Sequence, residues 1–283
     1  MTFDFTSLDS TDDGKHFQFT GTFKETSKFF WGNDDRFSLS LPLAVKFCNS
    51  NFEFIPKCGF KMAFSHVDFL FDVYRMVQFP TMDDLYWNDG TFTGNADLKP
   101  ESGVGGELTV NLHDVILPFS LCVYSNYYDS KIQWSGTSAE NVSSAFYLGC
   151  DFRAEQTFFD GRLKVSANCE YLYTRLLDKS NKVTYGKKIM WTPDWTGSVN
   201  AVYKWPYFTL EMDASFVGKR YLTNVNAAYL KPYFLLNCSG QITKWKHCTP
   251  YFRFENLLNT QYESVEGYPM PGVGLTVGVK VIK

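Results

Sequence analysis

The side chains best suited to chemistry in this sequence are four histidines, seven cysteines and the acidic pairs Asp12-Asp13 and Asp83-Asp84, and their spacing assigns them no reaction. His16, His66, His113 and His247 fall in four separate segments with no i, i+4 pairing. No single face can gather them as metal ligands, and turns or strand ends are their default places. The cysteine count is odd and no Cys-x-x-Cys occurs, so neither a zinc site nor a complete disulfide framework is indicated. Strand parity puts Cys58, Cys150, Cys169, Cys238 and Cys248 in line with neighbouring Phe, Leu and Val, and Cys48 and Cys122 on the other face. They read as small apolar packing residues. Cys238 and Cys248 straddle a tight turn, which leaves a disulfide between adjacent strands open.

Asp12-Asp13 and Asp83-Asp84 sit on predicted loops, where a solvated turn is the commoner role than a cation site. Gly103-Val-Gly105-Gly106 would cradle a phosphate only ahead of a helix. An alternating segment follows instead, so the glycines open a strand. There is no Gly-x-Ser-x-Gly elbow, and no Ser/His or carboxylate set for a protease or phospholipase can be assembled. No catalytic, metal or cofactor-binding residue is assigned, the ligand-binding residues stay unknown, and the chain is read as a non-enzyme without a cofactor.

The elements that would position any site are strands. Aromatic residues make up 18% of the 283 residues and charged ones only 20%, with 27 Phe and 17 Tyr. The net charge of −3 and the absence of a long basic run exclude a nucleic-acid surface. No stretch approaches the ~18 consecutive apolar residues of a transmembrane helix. Alternation, by contrast, runs through about thirteen segments. They lie near 15–25, 36–48, 52–64, 67–75, 103–113, 116–125, 142–155, 161–174, 194–204, 207–217, 232–242, 247–257 and 272–282. In 36–48, Phe37, Leu39, Leu41, Leu43, Val45 and Phe47 share one face opposite Arg36, Ser38, Ser40 and Lys46. In 207–217, Phe208, Leu210, Met212, Ala214 and Phe216 oppose Thr209, Glu211, Asp213 and Ser215. Each segment has roughly the length of a tilted strand that crosses a bilayer.

The connections alternate from residue 64 onward. Short ones near 65–66, 113–115, 156–161, 205–206 and 243–246 are each followed by a long one, near 76–102, 126–141, 175–193, 218–231 and 258–271. Tight turns at one end and long loops at the other are the pattern of an outer-membrane barrel. Trp191, Trp195, Trp205, Tyr207, Trp245, Tyr251 and Tyr268 gather at predicted strand ends, as interfacial girdles require. One face would meet lipid. The other would carry a polar row including Lys164, Asn168, Glu170, Glu211, Asp213, Arg253 and Glu255. Loop aromatics Tyr86, Trp87, Phe92 and Tyr268 would contact a ligand or pack the loops together.

Four stretches carry a family resemblance in order along residues 55–283. The last is Glu255-Asn-Leu-Leu-Asn-Thr-Gln-Tyr-Glu263 with the alternating tail Val273–Lys283. The others are Tyr74–Tyr86 with Gly94-Asn-Ala-Asp-Leu-Lys-Pro-Glu101, Tyr185–Trp195, and Phe216-Val-Gly-Lys-Arg-Tyr-Leu-Thr-Asn224. Together they resemble the barrel of TonB-dependent outer-membrane receptors. Gln78 stands where that family commonly has Arg, Ala96 where it has Pro, and Lys283 where it has a terminal aromatic.

The resemblance implies an all-β, antiparallel transmembrane β-barrel. About 12–13 strands would be the C-terminal portion of a ~22-stranded barrel with a plugged lumen. Residues 1–283 are then one barrel domain, expected without plug domain or signal peptide, since Met1–Ser10 has no basic region followed by an apolar one. In its complete form such a receptor would take up a scarce nutrient, a ferric siderophore, haem or cobalamin, across the outer membrane of a Gram-negative-type envelope. This part alone is not expected to be transport-competent. The implied partners are outer-membrane lipid, the metal chelate or vitamin, TonB through a missing N-terminal segment, and the barrel-assembly machinery. A non-transport barrel, an adhesin or passive pore, is the alternative; a soluble all-β module is the third reading.

Overall fold

Alternation fixes which side chains share a face, but register decides whether neighbouring strands align those faces. The computed structural model describes residues 2–10, 14–33, 36–49, 51–142, 144–179, 181–245 and 247–281. The first part of the chain forms β1 (Thr2–Ser10), β2 (Gly14–Trp31), β3 (Phe37–Cys48), β4 (Asn51–Ala63), β5 (Val67–Gln78), a helix α1 (Met82–Tyr86), β6 (Glu101–Leu112) and β7 (Phe119–Tyr128). Then come β8 (Lys131–Ser135), β9 (Ser138–Val142), β10 (Ala145–Phe158), β11 (Leu163–Leu176), β12 (Trp195–Trp205), β13 (Phe208–Val217), β14 (Arg220–Tyr221) and β15 (Tyr229–Leu230). The chain ends with β16 (Tyr233–Ile242), β17 (Cys248–Glu255), β18 (Glu263–Val265), β19 (Tyr268–Pro269) and β20 (Gly274–Val281).

Fourteen strands join one sheet in the order β1-β2-β3-β4-β5-β6-β7-β10-β11-β12-β13-β16-β17-β20. All thirteen predicted segments are among them. The added strand is β1, whose sequence Thr-Phe-Asp-Phe-Thr-Ser-Leu-Asp-Ser is too polar to announce itself. The three small hairpins β8–β9, β14–β15 and β18–β19 ornament long connections. No helix among the described residues is long and apolar enough to cross a membrane, which says nothing about strands.

Residues form two compact units, 1–110 with 123–148 and 174–187, and 111–122 with 149–173 and 188–283. In the first, Phe37 pairs with Met62 and Leu39 with Phe60, while Phe60 pairs with Phe71 and Met62 with Phe69. These apolar side chains therefore stand on one face across β3, β4 and β5. In β2 that face is interrupted, with Glu25 opposite Leu43 and Ser27 opposite Leu41. On the opposite face Lys57 meets Asp72 at 3.1 Å and Lys61 meets Asp68 at 2.8 Å. Such half-exposed pairs stabilise by about 0–1 kcal/mol each.

The second unit shows the same division more cleanly. Val199 pairs with Ala214 and Ala201 with Met212; Ala214 pairs with Leu236 and Met212 with Cys238. The row continues through Phe254 to Leu275 and through Phe252 to Val277. The large apolar side chains of these faces are not packed away: Phe54, Phe71, Val199, Met212 and Phe216 are each 40–53% exposed. Buried hydrophobics lie elsewhere. Phe79, Met82, Ala139, Ala145 and Leu176 in the first unit, and Ile189, Met190 and Leu230 in the second, belong to the long connections or the strand ends beside them.

Glycine matters where two elements come too close for a side chain. A Cβ on Gly105 would fall onto Asn126 Oδ1 and within 2.6 Å of the Tyr74 ring, which itself donates to Asn126 at 3.1 Å. At Gly106 the nearest atom would be the Asp72 carbonyl at 3.4 Å, an ordinary contact. Gly105→Val is expected to destabilise the chain refolded in detergent micelles by about 1–3 kcal/mol through overpacking. Gly106→Ala should stay within about 0.5 kcal/mol, and urea titration followed by circular dichroism reads both.

Candidate functional site

The polar face of the second unit is built by four consecutive registers. Ser166 opposes Asn200, Asn200 opposes Asp213, Asp213 opposes Asn237, and Ser239 opposes Glu211 and Arg253. All seven polar residues predicted to share a face do so. They are largely occupied with neighbours on that face. Asn168 Oδ1 accepts from Ser198 Oγ at 2.6 Å, Glu170 from Thr196 at 3.3 Å, and Glu211 from Asn200 at 2.9 Å. Asp213 accepts from Asn237 at 3.3 Å; Lys164 pairs with Glu155 at 2.8 Å and Arg253 with Glu255 at 3.2 Å.

Two concavities open on this face. One of about 600 Å3 is lined by Asn111, Ser120, Arg153, Glu155, Asn168 and Ser198. The other, about 320 Å3, has Asn200, Glu211, Asp213, Asn237, Ser239 and Arg253 at its walls. Arg153, Asn200 and Asn237 were not singled out by sequence; register with Asp213 places the two asparagines on this face. Amide, hydroxyl and mixed-charge walls can bind a polar solute by many weak hydrogen bonds.

The loop motifs are staples. In the first unit Thr81 caps α1, accepting from the Asp84 amide at 3.1 Å while Asp84 Oδ2 accepts from the Thr81 amide at 3.0 Å. Its other oxygen accepts from the Trp134 indole at 2.9 Å. Asn95 donates to the Ala139 carbonyl, Asn141 exchanges two hydrogen bonds with the Lys99 backbone, and Glu101 holds Lys131 and the Ile132 amide. Asp83-Asp84 is thus a helix start, and Asp12-Asp13 lies outside the described residues. Backbone amides of Phe92 and Thr91 hold the exposed Asp89 carboxyl below its ordinary pKa.

In the second unit the Arg220 guanidinium donates to the Glu263 and Ser264 carbonyls and stands 5.3 Å from the Tyr233 ring centroid. Asn226 trades hydrogen bonds with the Lys188 backbone, Met190 donates to Asn224, and Lys188 pairs with Asp194. Asn256 ties Asn237, Thr260 and Pro271 together.

Other predicted residues are scattered. His66, His113 and His247 lie in turns, His113 beside Asp114 at 2.9 Å, and the His16 side chain is outside the described residues. Trp87 and Phe92 in the first unit and Tyr268 in the second are exposed, and Tyr86 is half-buried. Tyr251 is not a girdle residue: it stands on the polar face opposite Gly278. Tyr268 sits in the β18–β19 hairpin, away from any long strand. The open Cys238–Cys248 disulfide does not form. Register sets Cys238 opposite Phe254 and Cys248 opposite Val281, and all seven cysteines are free.

A long antiparallel sheet with one exposed apolar face, a polar opposite face and stapled connections at one end defines the strand architecture of a β-barrel wall. The chain belongs to the family described as TonB dependent receptor-like, beta-barrel, whose model matches residues 71–257. Solved structures with a similar fold include the ferric enterobactin receptor PfeA of Pseudomonas aeruginosa, 18% identical, TM-score 0.73, covering 96% of this chain and 46% of that one. The siderophore receptor PirA of Acinetobacter baumannii is 16% identical with TM-score 0.74, over 96% of this chain and 47% of that one. The vitamin B12 transporter BtuB of Photobacterium profundum is 36% identical over 64 residues, 23% of this chain and 10% of the relative. The chain spans about half the length of the solved receptors.

Asp84→Ala keeps the amide that Thr81 caps but removes the carboxylate that accepts from Thr81 and from the Trp134 indole, an expected local cost of about 1–2 kcal/mol. Limited proteolysis should then cut within residues 79–100 roughly 5–30 times faster. Asp83→Ala, which leaves the cap intact, should match the wild type.

Proposed function

We propose that this chain is the C-terminal part of an outer-membrane receptor barrel for energised uptake of a scarce nutrient. Its apolar face meets bilayer hydrocarbon and its polar face lines the passage. The observation that carries this reading is the second unit's face of Ala201, Met212, Phe216, Val277 and their neighbours. It is continuous across registered strands and exposed, while the opposite face is hydrogen-bonded and polar. Exposed apolar area of that extent is stable against lipid and prone to aggregate in water. An outer-membrane location in a Gram-negative-type envelope follows from the same reading.

The substrate class is a ferric siderophore, haem or cobalamin. Family membership supports it, together with the ferric enterobactin, siderophore and vitamin B12 named for the similar proteins. Transport needs more than this wall: a plug, the remaining strands and a TonB-contact segment complete the receptor, and the barrel-assembly machinery inserts it. The chain itself is a receptor part and not an enzyme.

Substitution by depth and face tests the membrane assignment. Met212→Arg, mid-strand on the apolar face, should destabilise the chain refolded into phospholipid vesicles by about 2–4 kcal/mol. Ser239→Arg, on the polar face opposite Glu211, should cost under about 1 kcal/mol. Equal tolerance of the two arginines in urea titrations would sink the assignment.

A further inference from the structure

The apolar face of the second unit ends in aromatics at its short turns. Trp205 pairs with Phe208 and Phe208 with Ile242, which continues the row of Tyr203 and Leu210. Successive turns lie side by side there. The Lys204 amide donates to the Arg162 carbonyl at 2.7 Å, which joins the β10–β11 turn to the β12–β13 turn. The Thr243 amide donates to the Tyr207 carbonyl at 3.0 Å and brings the β16–β17 turn alongside. Trp205, Tyr207 and Trp245 are each half exposed or more.

Two cations stand over these rings. The Arg162 guanidinium lies 5.9 Å from the Trp205 ring centroid, and the Lys244 ammonium 5.9 Å from that of Tyr207. Neither forms an ion pair among the described residues, not even Arg162 with Asp160 of its own turn. That turn also holds an outlier. Asp160 and Gly161, with φ of 53° and 87°, are the left-handed Asp-Gly pair of a tight hairpin turn, closed by the Arg162 amide on the Phe159 carbonyl at 3.1 Å. Phe159 is left-handed as well, with φ 55°, and 68% exposed. A bulky side chain is costly in that conformation, and asparagine would adopt it with less strain. Exposed rings and unpaired cations along one edge match a layer that is anionic at its surface and hydrocarbon beneath.

We propose that these three turns form a headgroup-binding edge for anionic phospholipid. Arg162 and Lys244 each take a lipid phosphate, while Phe159, Trp205, Tyr207 and Trp245 enter the boundary between headgroups and acyl chains. The proposal rests on the membrane reading above, since only there does the apolar face meet lipid. An acidic protein would match the two cations, but not rings that carry on the apolar row without a break.

The test is native mass spectrometry of the full chain folded in detergent with equimolar phosphatidylglycerol and phosphatidylcholine. Wild type should retain phosphatidylglycerol about fivefold over phosphatidylcholine, the scale of one favourable surface charge per lipid. Arg162→Gln combined with Lys244→Gln should bring the ratio close to one. Lys182→Gln, an exposed cation on a long connection, should leave it unchanged. All these positions are exposed, so the variants keep the wild-type circular dichroism. In vesicles of the same two lipids, Phe159→Asn should lower the urea midpoint although asparagine suits the turn better. Equal retention of the two lipids by wild type, a preference that survives the double substitution, an equal loss in Lys182→Gln, or a raised midpoint in Phe159→Asn overturns the proposal. If Met212→Arg penalises insertion as expected and no lipid preference appears, only this edge falls. If Met212→Arg is tolerated, the membrane reading and this edge fall together.

Discussion

Backbone pairing between neighbouring strands is the interaction on which this structure depends, because little dry packing supports the long strands from behind. In most domains a sheet is pinned by the core on one of its faces. Here the large side chains of β3–β5 and of β12, β13 and β20 remain open, and burial is concentrated in the connections. Each strand therefore stays in place through its ladder and its cross-strand neighbours. Register carries unusual weight for the same reason. A slip by one residue would send Met212 and Phe216 to the polar face and Glu211 and Asp213 to the apolar one.

That dependence explains features that would otherwise look incidental. Strand glycines would weaken a ladder, yet Gly240 lies under the Phe252 ring and Gly278 under Tyr251, so an aromatic from the next strand restores the missing contact. Charged pairs such as Lys61–Asp68 and Lys164–Glu155 join neighbouring strands across the polar face. Single pairs add little, but placed strand by strand they oppose slippage.

How much of this was legible in the sequence follows from the range of each interaction. Period-two alternation is local, so thirteen segments and the polar row from Lys164 to Glu255 were readable. β1 was not, because its Ser, Thr and Asp residues mask the alternation and only pairing with β2 defines it. The Cys238–Cys248 question turned on register. Two cysteines flanking a turn look opposed, but the pairing that puts Gln241 opposite Tyr251 leaves Cys238 facing Phe254. Tyr251 fails as a girdle residue for a local reason: it stands two residues before Arg253 in β17 and so shares the polar face. The helix α1 is five residues long, too short to show a helical period. The tie from Asp84 to Trp134 spans 50 residues, beyond any local signal.

The motifs that carry the family resemblance are absorbed by architecture. Asp84, Asn95, Glu101, Arg220 and Asn256 turn most of their polar atoms to nearby backbone or to neighbouring side chains. A side chain whose hydrogen bonds close internally has little left to distinguish one solute from another. Discrimination would then fall to groups outside those motifs: exposed Trp87 and Phe92 in one unit, exposed Tyr229, Lys231 and Tyr268 in the other. The same staples that identify the family hold the loop backbones in place. The neighbouring exposed aromatic and basic residues are not among those staples. What supports the loops and what the loops expose are thus different side chains.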